Sequence, residues 1–191
     1  MARNKGIDGQ EVLLRMRQVF KHYGYDNASL SVLSKETGLA KAGLYHHFPN
    51  GKVSMAEAVL DDIGQWVKVN VIAVLESEIL PEIRLKKMVS ALIELYEEDT
   101  KSCLIGLFSY GEALEHFQIH LANSLKSLMN GITKVLVDAG IEEKIAKSRS
   151  EQAVMLIQGA LVVGRVMNST DIFLKTMNDL PDDLLKPVIT I

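Results

Sequence analysis

What most constrains this chain of 191 residues is the placement of its four prolines, Pro49, Pro81, Pro181 and Pro187. A proline inside a helix removes one backbone donor and clashes with the preceding turn. All four fall where elements can end, and the long stretches between them contain nothing that forbids a helix. Asp8 and Glu11 have capping-box spacing, and Val12, Met16, Val19, Phe20 and Tyr23 then recur at helical intervals up to Gly24. A short helix is predicted from about Ser31 to Thr37, capped by Ser31 or Ser29, and another from Lys41. A long helix follows from Lys52 to about Ser77, although Val67–Val74 alternates as a strand would. Further helices are predicted from Pro81 to Glu98, Leu104 to Leu114, Phe117 to Ala139, Glu142 to Asn168 and Asp171 to Leu180. A break is expected near His116, and Gly140 is a C-terminal stop. Asn50-Gly51 is the only hint of a hairpin. The fold class is therefore all-α: a three-helix head over residues 1–51, then a linking helix and a larger helical body over 52–191.

Composition narrows the function. Apolar residues make up 48% of the chain, too many for disorder. The richest apolar run, Ala153–Met167, is shorter than the ~20 residues of a membrane span and contains Gln158 and Arg165. The opening MARNKG has no apolar segment behind it, so no secretory signal is expected. A single cysteine, Cys103, excludes an internal disulfide framework and fits a reducing cytoplasm. The net charge of −3 is split unevenly, +4 over residues 1–52 and −7 over the rest. A basic head on an acidic body points to a polyanionic partner for the head alone.

Leu30–Phe48 has the pattern of a helix-turn-helix. Leu33, Leu39, Leu44 and Phe48 are its apolar positions, Ser34 is small where two helices would cross, and Gly38 suits the tight turn between them. Projected at 100° per residue, the helix from Lys41 turns Leu44 and Phe48 inward. Ala42, Gly43, Tyr45 and His46 face outward or flank. Small side chains at Ala42 and Gly43 permit close approach to base edges in a major groove, and Lys41 can reach a guanine or a phosphate. Tyr45, His47 and Lys52 are donors suited to phosphate oxygens. Adjacent His46 and His47 point about 100° apart, so they cannot chelate one ion.

The run AKAGLYHHF resembles the signature of the TetR family of transcriptional regulators, a short polar run followed by L-Y-x-H-F. The resemblance covers residues 8–60. It implies phosphate contacts by Tyr45, His47 and Lys52, base contacts by Lys41, Ala42 and Gly43, and contacts to backbone or a base by Ser29 and Ser31. Two departures stand out. Ala40 occupies the position of the usual capping serine, a loss of about 1 kcal/mol. The usual F-x-x-K is one residue longer here, Phe48-Pro49-Asn50-Gly51-Lys52, which resembles the LmrA/YxaF-like branch of the family.

The body carries weaker signals. Trp66, Met88, Tyr96, Phe108, Tyr110, Phe117 and Met129 suit either a core or an apolar ligand pocket, and the resemblance implies that some line a pocket. Ala153–Met167 is apolar nearly all round, so it is either central or covered by a second subunit. Gly159, Ala160 and Gly164 allow close helix approach. The resemblance implies dimerisation through the last two helices, with Leu156, Gly159, Ala160, Val163, Gly164, Met167 and Phe173 at the interface. Cys103 reads as a buried inert residue or a redox sensor.

These residues and the resemblance together imply a cytoplasmic, homodimeric, ligand-responsive DNA-binding regulator. It acts as a repressor released from a palindromic operator by a small apolar or amphipathic effector, and needs no cofactor or metal. Two alternatives remain open: a helical metal-dependent enzyme using Glu112, His116 and His120, and a helical protein-binding adaptor.

Overall fold

A computed structural model of the chain describes residues 9–97 and 103–187. Asp8, half of the expected capping box, and Lys101, which neighbours Cys103 in sequence, lie outside the described residues. Every element among the described residues is helical: α1 (Gly9–Asn27), α2 (Leu30–Thr37), α3 (Lys41–His47), α4 (Lys52–Val67), a π-helical segment (Lys68–Ile72), α5 (Ala73–Leu75), α6 (Pro81–Glu97), α7 (Leu104–Leu107), α8 (Gly111–Asp138), α9 (Glu143–Met167) and α10 (Asp171–Leu185).

The chain divides into two compact units, and the division is not the single cut after residue 51 that the sequence suggested. The first holds the described residues up to Gly64 together with Leu107–Gln118; the second holds Gln65–Gly106 and the described residues from Ile119 onward. The start of α8 therefore belongs with the head, although more than forty residues separate it from α4 along the chain.

In the first unit, α1 kinks at Gly24, whose φ of 69° is left-handed. Tyr25 is the centre of an aromatic cluster behind that kink, with Phe20, Phe108 and Phe117 at ring-centroid distances of 5.4–6.1 Å. Tyr25 stacks on Phe20 and meets Phe108 and Phe117 edge-to-face, and such pairs add about 0.5–1.5 kcal/mol each beyond the area they bury. Phe108 and Phe117, expected on the body, are thus core residues of the head. Val12, Met16, Val19, Leu33, Leu44, Met55, Ala56, Val59 and Leu60 are buried in the same unit.

In the second unit, the core runs from Val71 and Leu75 through Leu85, Met88 and Leu92 of α6, Ile132 and Leu136 of α8, and Ala153, Ile157 and Leu161 of α9 to Phe173, Met177 and Leu180 of α10. Arg84 is buried, and its guanidinium donates to the Leu75 carbonyl (3.1 Å) and to Asp138 (2.8 Å), fastening three helix ends. Lys134 shares Asp138 at 2.8 Å. Hydrogen bonds from Lys134 and then Arg84 hold the Asp138 carboxyl below its ordinary pKa.

The helix expected from Lys52 to about Ser77 runs to Leu75, interrupted only by a π-helical turn, and three other expectations need correction. The strand-like alternation at Val67–Val74 coincides with the π-helical turn. There the Asn70 side-chain amide takes the Trp66 carbonyl at 2.9 Å, competing with the helical ladder. The helix expected over Leu104–Leu114 stops at Leu107. The next boundary is Gly111, with φ 64°, so α8 runs unbroken through His116. Finally, Pro181 does not end α10, which continues to Leu185. Buried Leu180, Pro181 and Leu184 carry the helix past the missing donor, and Arg149 holds the Leu184 carbonyl at 2.7 Å.

Candidate nucleic-acid interface

The helix-turn-helix is assembled by a few local bonds. Ser29 caps α2, its hydroxyl accepting from the Val32 N–H at 3.3 Å. Gly38 ends the helix with φ 74°, its N–H returning to the Ser34 carbonyl at 3.1 Å. The Ser34 hydroxyl then donates to the Leu39 carbonyl at 2.7 Å, so its role is to staple the turn as well as to be small at a crossing. Thr37, which sequence reading passed over, is fully buried; its hydroxyl donates to the Leu33 carbonyl at 2.6 Å. A threonine directly before the turn glycine was the available signal.

The helix α3 begins at Ala40 without a side-chain cap, as its sequence requires. Leu44 is fully buried and anchors it, and the Phe48 N–H closes it on the Leu44 carbonyl at 2.8 Å. The remaining positions form one open surface. Lys41, Ala42, Tyr45, His46 and His47 are exposed, and Gly43 is half-exposed. Ser31 is also exposed, at the start of α2. The His46 and His47 rings sit 5.4 Å apart and are turned 71° from one another. Beyond Phe48 the chain turns through Gly51, with φ 63°. A Cβ on Gly51 would lie 3.4 Å from the Tyr45 ring, so that ring rests against the turn.

Gly43 has no structural reason to lack a side chain. Its φ is not left-handed, and an added Cβ would meet only the Leu39 Cβ, at an ordinary 4.0 Å. Glycine inside a helix costs about 1 kcal/mol relative to alanine. The fold gains nothing visible in return, which points to clearance for something outside the chain.

Lys52 stands apart from this surface. Its side chain is only 21% exposed. Its ammonium donates to the Tyr25 carbonyl at 3.1 Å, lies 4.1 Å from the Tyr25 ring centroid, and is 3.9 Å from a Glu112 carboxylate oxygen. Burial, then the carboxylates of Glu112, Asp26 and Glu57, push the Tyr25 hydroxyl above its ordinary pKa.

The residues considered for metal chemistry are differently occupied. Glu112 faces Lys52, and the His116 ring lies 6.0 Å from Tyr25 and 5.8 Å from Phe117. Among the described residues no three His, Cys, Asp or Glu side chains are grouped to hold an ion. In the second unit, Cys103 is half-buried with its sulfur 3.3 Å from the buried Tyr96 hydroxyl, whose pKa burial raises well above normal. Of the ligand candidates there, Met88 and Tyr96 are core residues, while Trp66 and Met129 are half-buried. Tyr110, in the first unit, is exposed.

The expected dimer set also divides. Leu156, Gly159, Val163 and Met167 are exposed on α9, next to exposed Met155, Val162, Val166 and Ile172. Ala160 and Phe173 are buried within the chain, and Phe173 packs edge-on against Tyr96 at 5.8 Å. Gly164 is explained internally: a Cβ there would meet the Ser169 carbonyl at 2.8 Å, where the chain folds back behind Asn168. Gly159 has open space in front of it.

Comparison with known proteins agrees with this organisation. Residues 16–59 match the model for bacterial regulatory proteins of the TetR family, and residues 81–179 match the C-terminal domain of LmrA/YxaF-like transcriptional regulators. The chain is 23% identical over 185 residues to the HTH-type transcriptional regulator LmrA of Bacillus subtilis (strain 168), covering 95% of this chain and 98% of that protein. It is 23% identical over 164 residues to YxaF of the same organism, covering 84% of this chain and 86% of YxaF. A crystal structure of a TetR transcriptional regulator from Legionella pneumophila shares the fold, with a TM-score of 0.79 at 19% identity over 96% of this chain and 100% of that one. These relatives are transcriptional regulators rather than enzymes. With an N-terminal helix-turn-helix and an LmrA/YxaF-like C-terminal domain on one all-helical chain, the protein belongs to the TetR family of transcriptional regulators.

Proposed function

We propose that the protein is a homodimeric repressor that reads a near-palindromic operator and leaves it when a small apolar or amphipathic effector binds the second unit. The observation that carries the DNA reading is the open face of α3. Small Ala42 and Gly43 lie between Lys41 and the donors Tyr45, His46 and His47, and the helix is held from behind by Leu44. In this reading Ala42 and Gly43 let the helix enter a major groove, Lys41 reads a base edge, and Tyr45 and His47 bond phosphates. Ser31 stands ready for a backbone contact. Ser29 already caps α2, which limits it to a contact that preserves the cap.

The exposed aliphatic stripe of α9, continued by Ile172 of α10, supports self-association. A two-fold symmetric pair would present two α3 helices, so half-sites are expected one helical turn or more apart. For the effector, the half-buried Trp66 and Met129 are the candidates of the second unit best placed to respond to a ligand, while Met88 and Tyr96 belong to its core. A ligand can shift the regulator only by binding its two states unequally, by about 1–3 kcal/mol. The reading is tested by selecting bound duplexes from a random pool. Enrichment of an inverted repeat, and its release by a compound from an apolar small-molecule panel, is the expected result. A pool that never converges would refute it. No helix among the described residues is long and apolar enough to cross a membrane.

A further inference from the structure

We infer that Lys52 is a positioning residue that locks the head's geometry from inside, and not a phosphate ligand. The inference rests on the DNA-binding reading above, and concerns how the reading surface is held.

Gly24 breaks the regular helix, and the Tyr25 carbonyl just beyond it accepts two hydrogen bonds. One lone pair of that oxygen takes the Ala28 N–H at 3.1 Å, and the other takes the Lys52 ammonium, also at 3.1 Å. The same ammonium sits over the Tyr25 ring at 4.1 Å and faces Glu112 at 3.9 Å. It thus satisfies a backbone acceptor and a π face of α1 and a carboxylate of α8 at once. Asp26 tightens the junction. A Cβ on Gly111 would come within 2.2 Å of the Asp26 carboxylate, so the end of α1 lies directly against the start of α8. The first residue of α4 is therefore tied to the last turn of α1 and the first turn of α8, all within the head unit.

The extra residue between Phe48 and Lys52 supplies the local cause. Gly51, left-handed at φ 63°, turns the chain into α4 beside the Tyr45 ring, and the Lys52 stem then runs over Tyr25 rather than along the open face of α3. To bind a phosphate, Lys52 would have to surrender a charge-assisted hydrogen bond and a cation–π contact together.

The test uses the full chain and sheared mixed-sequence duplex DNA, because phosphate contacts do not depend on sequence. Lysines of the wild type are acetylated with and without DNA, and each site is quantified by mass spectrometry. Lys41 should be reactive when free and protected when bound, whereas Lys52 should be protected in both states. Reactivity of Lys52 that disappears only on adding DNA would overturn the inference. Lys52→Met is then assayed for binding against salt, at a temperature where it remains folded. Affinity should fall about tenfold, the loss of one charge-assisted bond, while the slope of log affinity against log salt stays at the wild-type value. A slope shallower by about 0.9 would make Lys52 a phosphate ligand, and an unchanged affinity would make it merely structural; either result overturns the positioning role. If the wild type shows no salt-dependent binding and Lys41 is never protected, the DNA reading itself fails, a result distinct from these.

Discussion

Two surfaces of this molecule are left open by its own packing, and they differ in kind. The outer face of α3 combines a lysine, two histidines, a tyrosine hydroxyl and two residues with almost no side chain. The outer face of α9 is a run of Met155, Leu156, Val162, Val163, Val166 and Met167 around Gly159. One offers donors and clearance, and the other offers aliphatic area. Donors with clearance suit a polyanion whose grooves admit a helix. Exposed aliphatic area of this extent suits another apolar surface. The partner's chemistry can therefore be read from what each helix leaves unburied.

The sharpest way to break this contrast is to put a charge on the aliphatic face. Gly159→Asp introduces a carboxylate where open space now lies, so the chain itself should tolerate it. A second protomer would have to bury that charge, at several kcal/mol. Dimer affinity should drop by about three decades or more, which corresponds to about 4 kcal/mol. Analytical ultracentrifugation should show monomer at concentrations where the proposed wild-type dimer sediments as such. A variant that sediments as a dimer would mean that the face has some other use.

The anchor beneath the reading face gives the next largest effect. Leu44 is fully buried, so Leu44→Ala should cost about 2–5 kcal/mol of head stability through lost burial and a cavity. The loss should appear as early exchange of the α2 and α3 amides. An equal loss of protection across α9 and α10 would contradict independent packing of the two cores.

Lys41→Ala probes the polar face directly. Removing a base contact costs about 1–3 kcal/mol and relaxes discrimination at one operator position. Competition binding with single-base variants of the selected operator measures this. Uniform weakening on every variant would reassign Lys41 to the phosphates.

The two faces were also unequally legible in the sequence. The reading head could be followed almost residue by residue, because its signals are local: Gly38 for the turn, Leu44 at helical spacing, small residues before the Tyr45–His47 run. What local patterns did not carry was the docking of the α8 start on the head. Phe108 and Phe117 look like body residues from their position, and only the folded chain brings them to Tyr25. Gly111 was the available clue, since a glycine after Ser109 and Tyr110 marks a turn better than His116 does. At α9, the apolar excess was visible, but its division was not. Ala160 and Phe173 turn inward, and Gly164 serves the return of its own chain at Ser169. Composition cannot distinguish small residues that admit a partner helix from those that admit their own backbone. Pro181 shows the opposite limit. Its local veto on helix was overruled by the burial of Leu180 and Leu184 on either side.

Gly43 offers the smallest effect and the one that most cleanly separates fold from function. An alanine there fits the backbone and meets only Leu39, at an ordinary distance. The free protein should therefore become more stable, by about 0.5–1 kcal/mol, as glycine is replaced inside a helix. The same methyl would stand on the face proposed to enter the groove, where it should hold α3 away from the base edges. Thermal unfolding and operator binding should consequently move in opposite directions, with Tm rising and affinity falling several-fold. A structural glycine would lose both together. A glycine of no consequence would raise Tm and leave affinity unchanged. Only a glycine kept for clearance gives a more stable protein that binds its operator less well.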